Sequence, residues 1–202
     1  MKPDNASALE EKADVIVGAE QLALSEGDYE TALKLARENL SILTTLSKNS
    51  PNDVKVRADL VVRQSILLAQ YGYVMDQEEL KSLILDPIRD LGELIKYDEA
   101  NDTWRNYFIW HHYYAFKFSH SDNLRNQVLD SYAKSFLAAE YENFSAMQKF
   151  PLYILAAQQN WTLGYPEKAI DLIEKLKVLQ QEVPNLGPVS YTHLTLPTTP
   201  YV

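Results

Sequence analysis

The chemistry open to this chain lies in its histidines and acidic pairs, because it contains no cysteine and so has no thiolate nucleophile, thiolate metal ligand or disulfide. Two imidazoles that share a metal from one helix stand three or four residues apart. His111 and His112 are adjacent and His120 is well separated from both, so spacing writes no metal pair. His111 falls on the stripe of Trp104, Tyr107 or Phe108, Ala115 and Phe118 and reads as a hydrogen-bonded core or interface residue. The acids Glu10-Glu11, Glu78-Glu79 and Glu140 with Glu142 are neighbours whose side chains diverge on a helix, which suits solvated surface. The glycines are scattered as Gly18, Gly27, Gly72, Gly92, Gly164 and Gly187, so no phosphate-cradling loop can be written, and no serine sits in a nucleophile elbow. The expectation is a protein that is not an enzyme and holds no cofactor or metal; an active site among His111, His112 and nearby acids is the alternative.

Whatever the residues do, something must position them. The 202 residues suit a single core or a short repeat array, and 46% apolar with 23% charged residues is a globular balance. The formal charge of -9 repels a phosphate backbone, which argues against nucleic acid as a partner. No apolar run of about 18 residues is present and the start Met1-Lys2-Pro3-Asp4-Asn5 leads into acidic sequence, so the expected location is cytoplasmic, with no membrane partner.

The spacing of apolar residues is helical throughout. Tyr29, Ala32, Leu33, Ala36, Leu40 and Leu43 form one stripe, and Ala169, Leu172, Ile173, Leu176 and Leu179 another. Ser7-Ala8-Leu9-Glu10 and Ser145-Ala146-Met147-Gln148 fit the capping box. Ser50-Pro51-Asn52-Asp53 offers a capping Ser with Pro at the first helical position, and Asp76-Gln77-Glu78-Glu79 repeats the capping logic. These signals predict an all-α fold of about eight helices, at 7–25, 29–47, 51–71, 76–97, 103–118, 122–142, 145–163 and 166–182, with the fourth kinked or split at Asp86-Pro87. Short links make consecutive helices antiparallel hairpins.

An internal recurrence sharpens this. Gly27-Asp28-Tyr29-Glu30-Thr31-Ala32-Leu33 and Gly164-Tyr165-Pro166-Glu167-Lys168-Ala169-Ile170 share Gly, two turn residues, Glu, any residue, Ala, aliphatic. Gly ends one helix in a conformation costly for other residues, and Ala lets the next helix come close. Here the chain resembles tetratricopeptide repeats, whose paired helices A and B are joined by such a turn. Gly27, Ala32 and Ala36 of the first hairpin, and Ala156, Ala157, Gly164 and Ala169 of the last, match small-residue positions of that motif, with Tyr153 on its aromatic position. Glu20 and Asn39 depart from it, standing where the family prefers small residues. A second recurrence, Asn52-Asp53 with Arg57 and Asn101-Asp102 with Arg105, has a longer period than the motif.

The resemblance implies that residues 7–188 stack as a right-handed superhelix of about four hairpins, an α-solenoid, after a disordered segment at 1–6. It implies that helix A residues line a concave face: Asp14, Val17, Gln21 and Ser25 in the first hairpin, and Ile154, Gln158 and Trp161 in the last. Trp104 to Phe118 is aromatic around most of its circumference, so it is either buried between neighbours or places Trp110 and Tyr113 in a groove that grips a peptide. The function expected is a non-catalytic protein-interaction scaffold whose partners carry basic segments. The alternative is the regulatory or sensor region of a larger bacterial signalling protein, a kinase or transcription regulator.

From Val189 the composition changes to a Thr-rich stretch without acidic residues, Lys or Arg, alternating with period two over Tyr191 to Leu196. Val189 to Thr199 is similar to the in-frame translation of a transposase-type sequencing adapter. The expectation is that 189–202 is a non-native extended or disordered tail and that the natural sequence was cut near Pro188.

Overall fold

The computed structural model describes residues 3–136, 141 and 143–183, with side chains described from Ala6 onward. The tail from Val189, and with it the adapter-like stretch, lies outside the described residues. The fold is all-α. Among the described residues there is no strand, and the helices are α1 (Pro3–Ser25), α2 (Tyr29–Asn49), α3 (Val54–Tyr71), α4 (Gln77–Ser82), α5 (Leu85–Tyr97), α6 (Asp102–Phe118), α7 (Asp122–Ser135), α8 (Ala146–Thr162) and α9 (Pro166–Glu182). They form two compact units, residues 1–107 and 108–202, dividing within α6, where the sequence reading takes 7–188 as one array.

Several boundaries differ from the sequence expectations, each for a local reason. Helix α1 begins at Pro3, so residues 3–6 are helical and Ser7 lies inside the helix instead of capping it; Pro preset for the first helical position, followed by Asp4, supplies the earlier start. Ser50 is the C-terminal cap of α2, its amide donating to the Leu46 carbonyl. Asp53 caps α3, accepting from the amides of Lys55 at 2.9 Å and Val56 at 3.2 Å, a carboxylate where the dipole favours it. The predicted fourth helix is split, but at Leu83–Ile84, so that Pro87 falls in the first turn of α5, where its missing amide costs nothing. Helix α7 ends at Ser135, and the rest of its predicted span, apart from Phe136 and Tyr141, is outside the described residues. Asp76 caps α4, and Ser145 with Gln148 closes the capping box of α8.

In residues 1–107, α1 and α2 form an antiparallel hairpin turned by Gly27 at φ +78°. Ala32 and Ala36 are fully buried along it, and Ala13, Ile16, Ile42, Leu46 and Val56 build the core from α1, α2 and α3. The close approach lets Asn39 donate to the Ala13 carbonyl of the opposite backbone at 2.8 Å. Glu20 of α1 is buried against Arg63 and Tyr71 of α3: it pairs with the Arg63 guanidinium and accepts the Tyr71 hydroxyl at 2.8 Å. Ala13 and Ile16 thus meet the start of α3 and Glu20 meets its later turns, so α1 and α3 run side by side in the same direction. The short α4 is tied to α2 by a bidentate pair of Arg37 with Glu79, both bonds 2.7 Å.

In residues 108–202, α8 and α9 form the second hairpin, turned by Gly164 at φ +80°. Ala156, Ala157 and Ala169 are buried there with Leu152, Leu155, Leu176 and Leu179. Helix α7 adds Val128, Leu129 and Tyr132, and the Tyr132 hydroxyl bonds to the Leu152 carbonyl at 3.1 Å and to the Tyr141 hydroxyl.

The turn glycines differ in kind from Gly18, which sits inside α1. Each of the three has open space where a Cβ would be, so backbone conformation alone decides the outcome. Gly27→Ala and Gly164→Ala force an L-residue into the left-handed region and are expected to lower unfolding free energy by about 1–2 kcal/mol. Gly18→Ala is expected to raise it by about 0.5–1 kcal/mol. Urea denaturation midpoints of the three variants check this, and equal effects would show that the turns do not depend on positive φ.

Candidate functional site

In residues 1–107 the predicted helix A positions lie on α1, and Asp14 among them borders the seam with α3. Asp14 and Gln21 are exposed and Val17 is half-buried; Ser25 is exposed and its hydroxyl donates to the Leu22 carbonyl at 2.7 Å. Across the seam Lys55 and Asp59 of α3 face Glu10 and Asp14, and these residues line a recess of about 70 Å³ with Ala13, Leu43, Leu46 and Val56 at its floor. Partial loss of water raises the Asp59 carboxyl above its ordinary value; Lys55 opposes this, while Asp14, Glu10 and Asp53 add to it. The seam is therefore a strip of converging carboxylates with Lys55 as its neighbouring cation. Asp14 belongs to the sequence expectation; Glu10 and Asp59 do not, since only the parallel run of α1 and α3 brings them together.

In residues 108–202 the aromatic part of α6 has two sides. On the inner side His112 is fully buried between Phe108, at 4.5 Å between ring centroids, and Phe136, at 5.6 Å. On the outer side Trp110 and Tyr113 are half-buried. Trp110 stacks on Tyr114 at 5.8 Å and on Phe150 of α8 at 6.3 Å, and meets Tyr113 edge to face at 5.7 Å. Lys117 rides over the rings of Tyr113, Tyr114 and Phe118 at 5.5 to 5.9 Å. Trp110 and Tyr113 thus keep part of their surface exposed and form a packed aromatic cluster with Phe150, which is carried by another helix. On α8 Trp161 is half-buried, while Ile154 and Gln158 are buried, and Gln158 Oε1 has no hydrogen-bond partner. Gln21 is exposed and Gln158 buried, so the two glutamines that the resemblance aligns differ in environment.

Two of the histidines are packed within α6. His111 and His112 are buried, and His120 is exposed. His112 Nδ1 lies 2.8 Å from the Phe108 carbonyl, which can only accept, so Nδ1 carries the proton; Nε2 then accepts from the Ser131 hydroxyl at 3.2 Å. Both ring nitrogens are used and the ring is neutral. Among the described residues no group of three His, Asp or Glu is placed to hold a metal ion, and no helix is long and apolar enough to cross a membrane.

Burial, opposed by the bond to the Phe108 carbonyl and aided by His111, pushes His112 from 6.5 down to about 3. Between these values the unfolded chain binds a proton that the folded chain does not. The contribution is complete above pH 6.5 and is lost as pH falls through the folded value, by about 1.4 kcal/mol per pH unit. Unfolding free energy measured from pH 7 to pH 4 is therefore expected to fall less steeply in His112→Gln, by about one proton's slope; identical slopes would contradict a neutral, buried imidazole.

Compared with known proteins, the chain matches no family model, no curated protein and no solved structure.

Proposed function

We propose that this chain is a non-catalytic protein-interaction module, resembling a tetratricopeptide-repeat scaffold, which receives a basic peptide segment along the α1–α3 seam. The observation that carries this reading is the strip of Glu10, Asp14 and Asp59 on two parallel helices, in a molecule of charge -9. The hairpin closed by Gly27 and packed through Ala32 and Ala36 holds Glu10 and Asp14 beside Asp59 of α3, which lowers the ordering cost on binding. Gln21, exposed on the same helix, offers an amide to a peptide backbone. The half-buried Trp110 and Tyr113, with Phe150, are a second contact surface of the same module, in residues 108–202.

Charge-driven docking has two signatures. Partial dehydration, aided by the neighbouring acids, raises the Asp59 carboxyl, so a cation brought beside it favours ionisation and binding releases protons. Affinity for a Lys/Arg-rich peptide is then expected to rise with pH across the carboxylate range, and to fall about tenfold when salt is raised several-fold, mainly through a slower on-rate. Asp59→Asn is expected to remove the pH dependence, and Asp14→Lys to weaken binding further. Calorimetry and stopped-flow at several salt concentrations make the test; an association indifferent to ionic strength, or equal in Asp14→Lys, overturns the reading.

A further inference from the structure

Apolar contacts between parallel helices are non-directional, and the core of Ala13, Ile16, Ile42, Leu46 and Val56 is aliphatic throughout and leaves the axial position unmarked by any polar pairing. The set of Glu20, Arg63 and Tyr71 does not. All three are buried, at 2%, 6% and 4% exposure, and they join α1 to α3 across 43 residues of sequence. Arg63 Nε has no acceptor, so Glu20 is the carboxylate on which the buried guanidinium depends. One turn along α1 in either direction stand Ile16 and Val17, or Ala23 and Leu24, none of which has a side-chain acceptor. A displacement of α1 by one turn, about 5.4 Å, would preserve an apolar contact but leave both charges buried and unmatched.

We infer that Glu20, Arg63 and Tyr71 are a register lock, which marks a single position of the α1–α2 hairpin along α3 by pairing that only this register satisfies. The lock also sets which acids converge at the neighbouring recess, since Glu10 and Asp14 of α1 meet Lys55 and Asp59 of α3 only in this register.

The absence of cysteine gives a direct test, because spin labels attach only where cysteine is introduced. With Ala19→Cys on α1 and Gln70→Cys on α3, both exposed positions, electron paramagnetic resonance is expected to report one narrow distance in the otherwise unaltered chain. Glu20→Gln and Arg63→Met singly are expected to reduce the folding equilibrium constant at least about 100-fold, the consequence of stranding one buried charge. The double variant Glu20→Leu with Arg63→Met is expected to recover to within about tenfold of the parent, yet to show a broadened or displaced distance distribution. If that double variant does not fold, the distribution in Glu20→Gln decides in the same way. A narrow, undisplaced distance in the deciding variant, or single-variant losses below tenfold, overturns the inference.

Discussion

Two helices lie only as close as the side chains between them allow, and the rest of this structure follows from how close its hairpins come. Fully buried Ala32 and Ala36 set the approach of α2 to α1, and Ala157 with Ala169 do the same for α8 and α9. Such closeness needs a connection that reverses direction in few residues, which Gly27 and Gly164 supply at positive φ. It also brings one helix's backbone within reach of the other's side chains. The Asn39 amide reaches the Ala13 carbonyl for that reason, a bond between helices that bulkier neighbours would prevent.

Close packing makes buried polar groups consequential, and the chain treats them unevenly. Each buried polar atom without a partner costs about 1–3 kcal/mol. His112 is satisfied at both nitrogens and Glu20 at both oxygens, whereas Asn39 Oδ1, Arg63 Nε and Gln158 Oε1 have no partner. The satisfied groups join separate helices: α6 to α7 through Ser131, and α1 to α3 through Arg63 and Tyr71. Polar atoms inside this fold thus supply direction, while apolar area supplies the bulk of the attraction.

The sequence made the helices legible because their apolar stripes recur every three or four residues, and it made the hairpin turns legible because Gly-x-x-Glu-x-Ala is a local signal. Where local signals competed, tertiary structure chose: Ser50 and Asp53 both suit a helix N-terminus, and the one that accepts amides from Lys55 and Val56 took it. The charged lock was visible only as an irregularity, Glu20 and Asn39 standing where the resembling motif has small residues. Nothing local names Arg63 as the partner of Glu20, because the pairing depends on α1 and α3 running in parallel. The aromatic helix α6 was ambiguous for a different reason: with rings on both sides, periodicity cannot say which faces the core. Phe136 and Phe150, on either side of it, resolve this into an inner set around His112 and an outer set around Trp110.

The distribution of charge completes the argument. Many cations here neutralise an acid one turn away on their own helix, as Arg89 does with Asp86, Lys96 with Glu93, Arg105 with Asp102, Arg125 with Asp122, Lys175 with Asp171 and Lys177 with Glu174. Exposed pairs of that kind add little stability, at most about 1 kcal/mol each, but they do cancel field locally. An excess of acid over base must then concentrate where such local pairing is missing. The α1–α3 seam is such a place: Lys12 on the far side of α1 is engaged with Glu38, and Glu10, Asp14 and Asp59 are left facing Lys55. Helix registration and charge placement are therefore one problem in this protein, since the axial position of α1 along α3 decides both which buried groups pair and which surface charges converge.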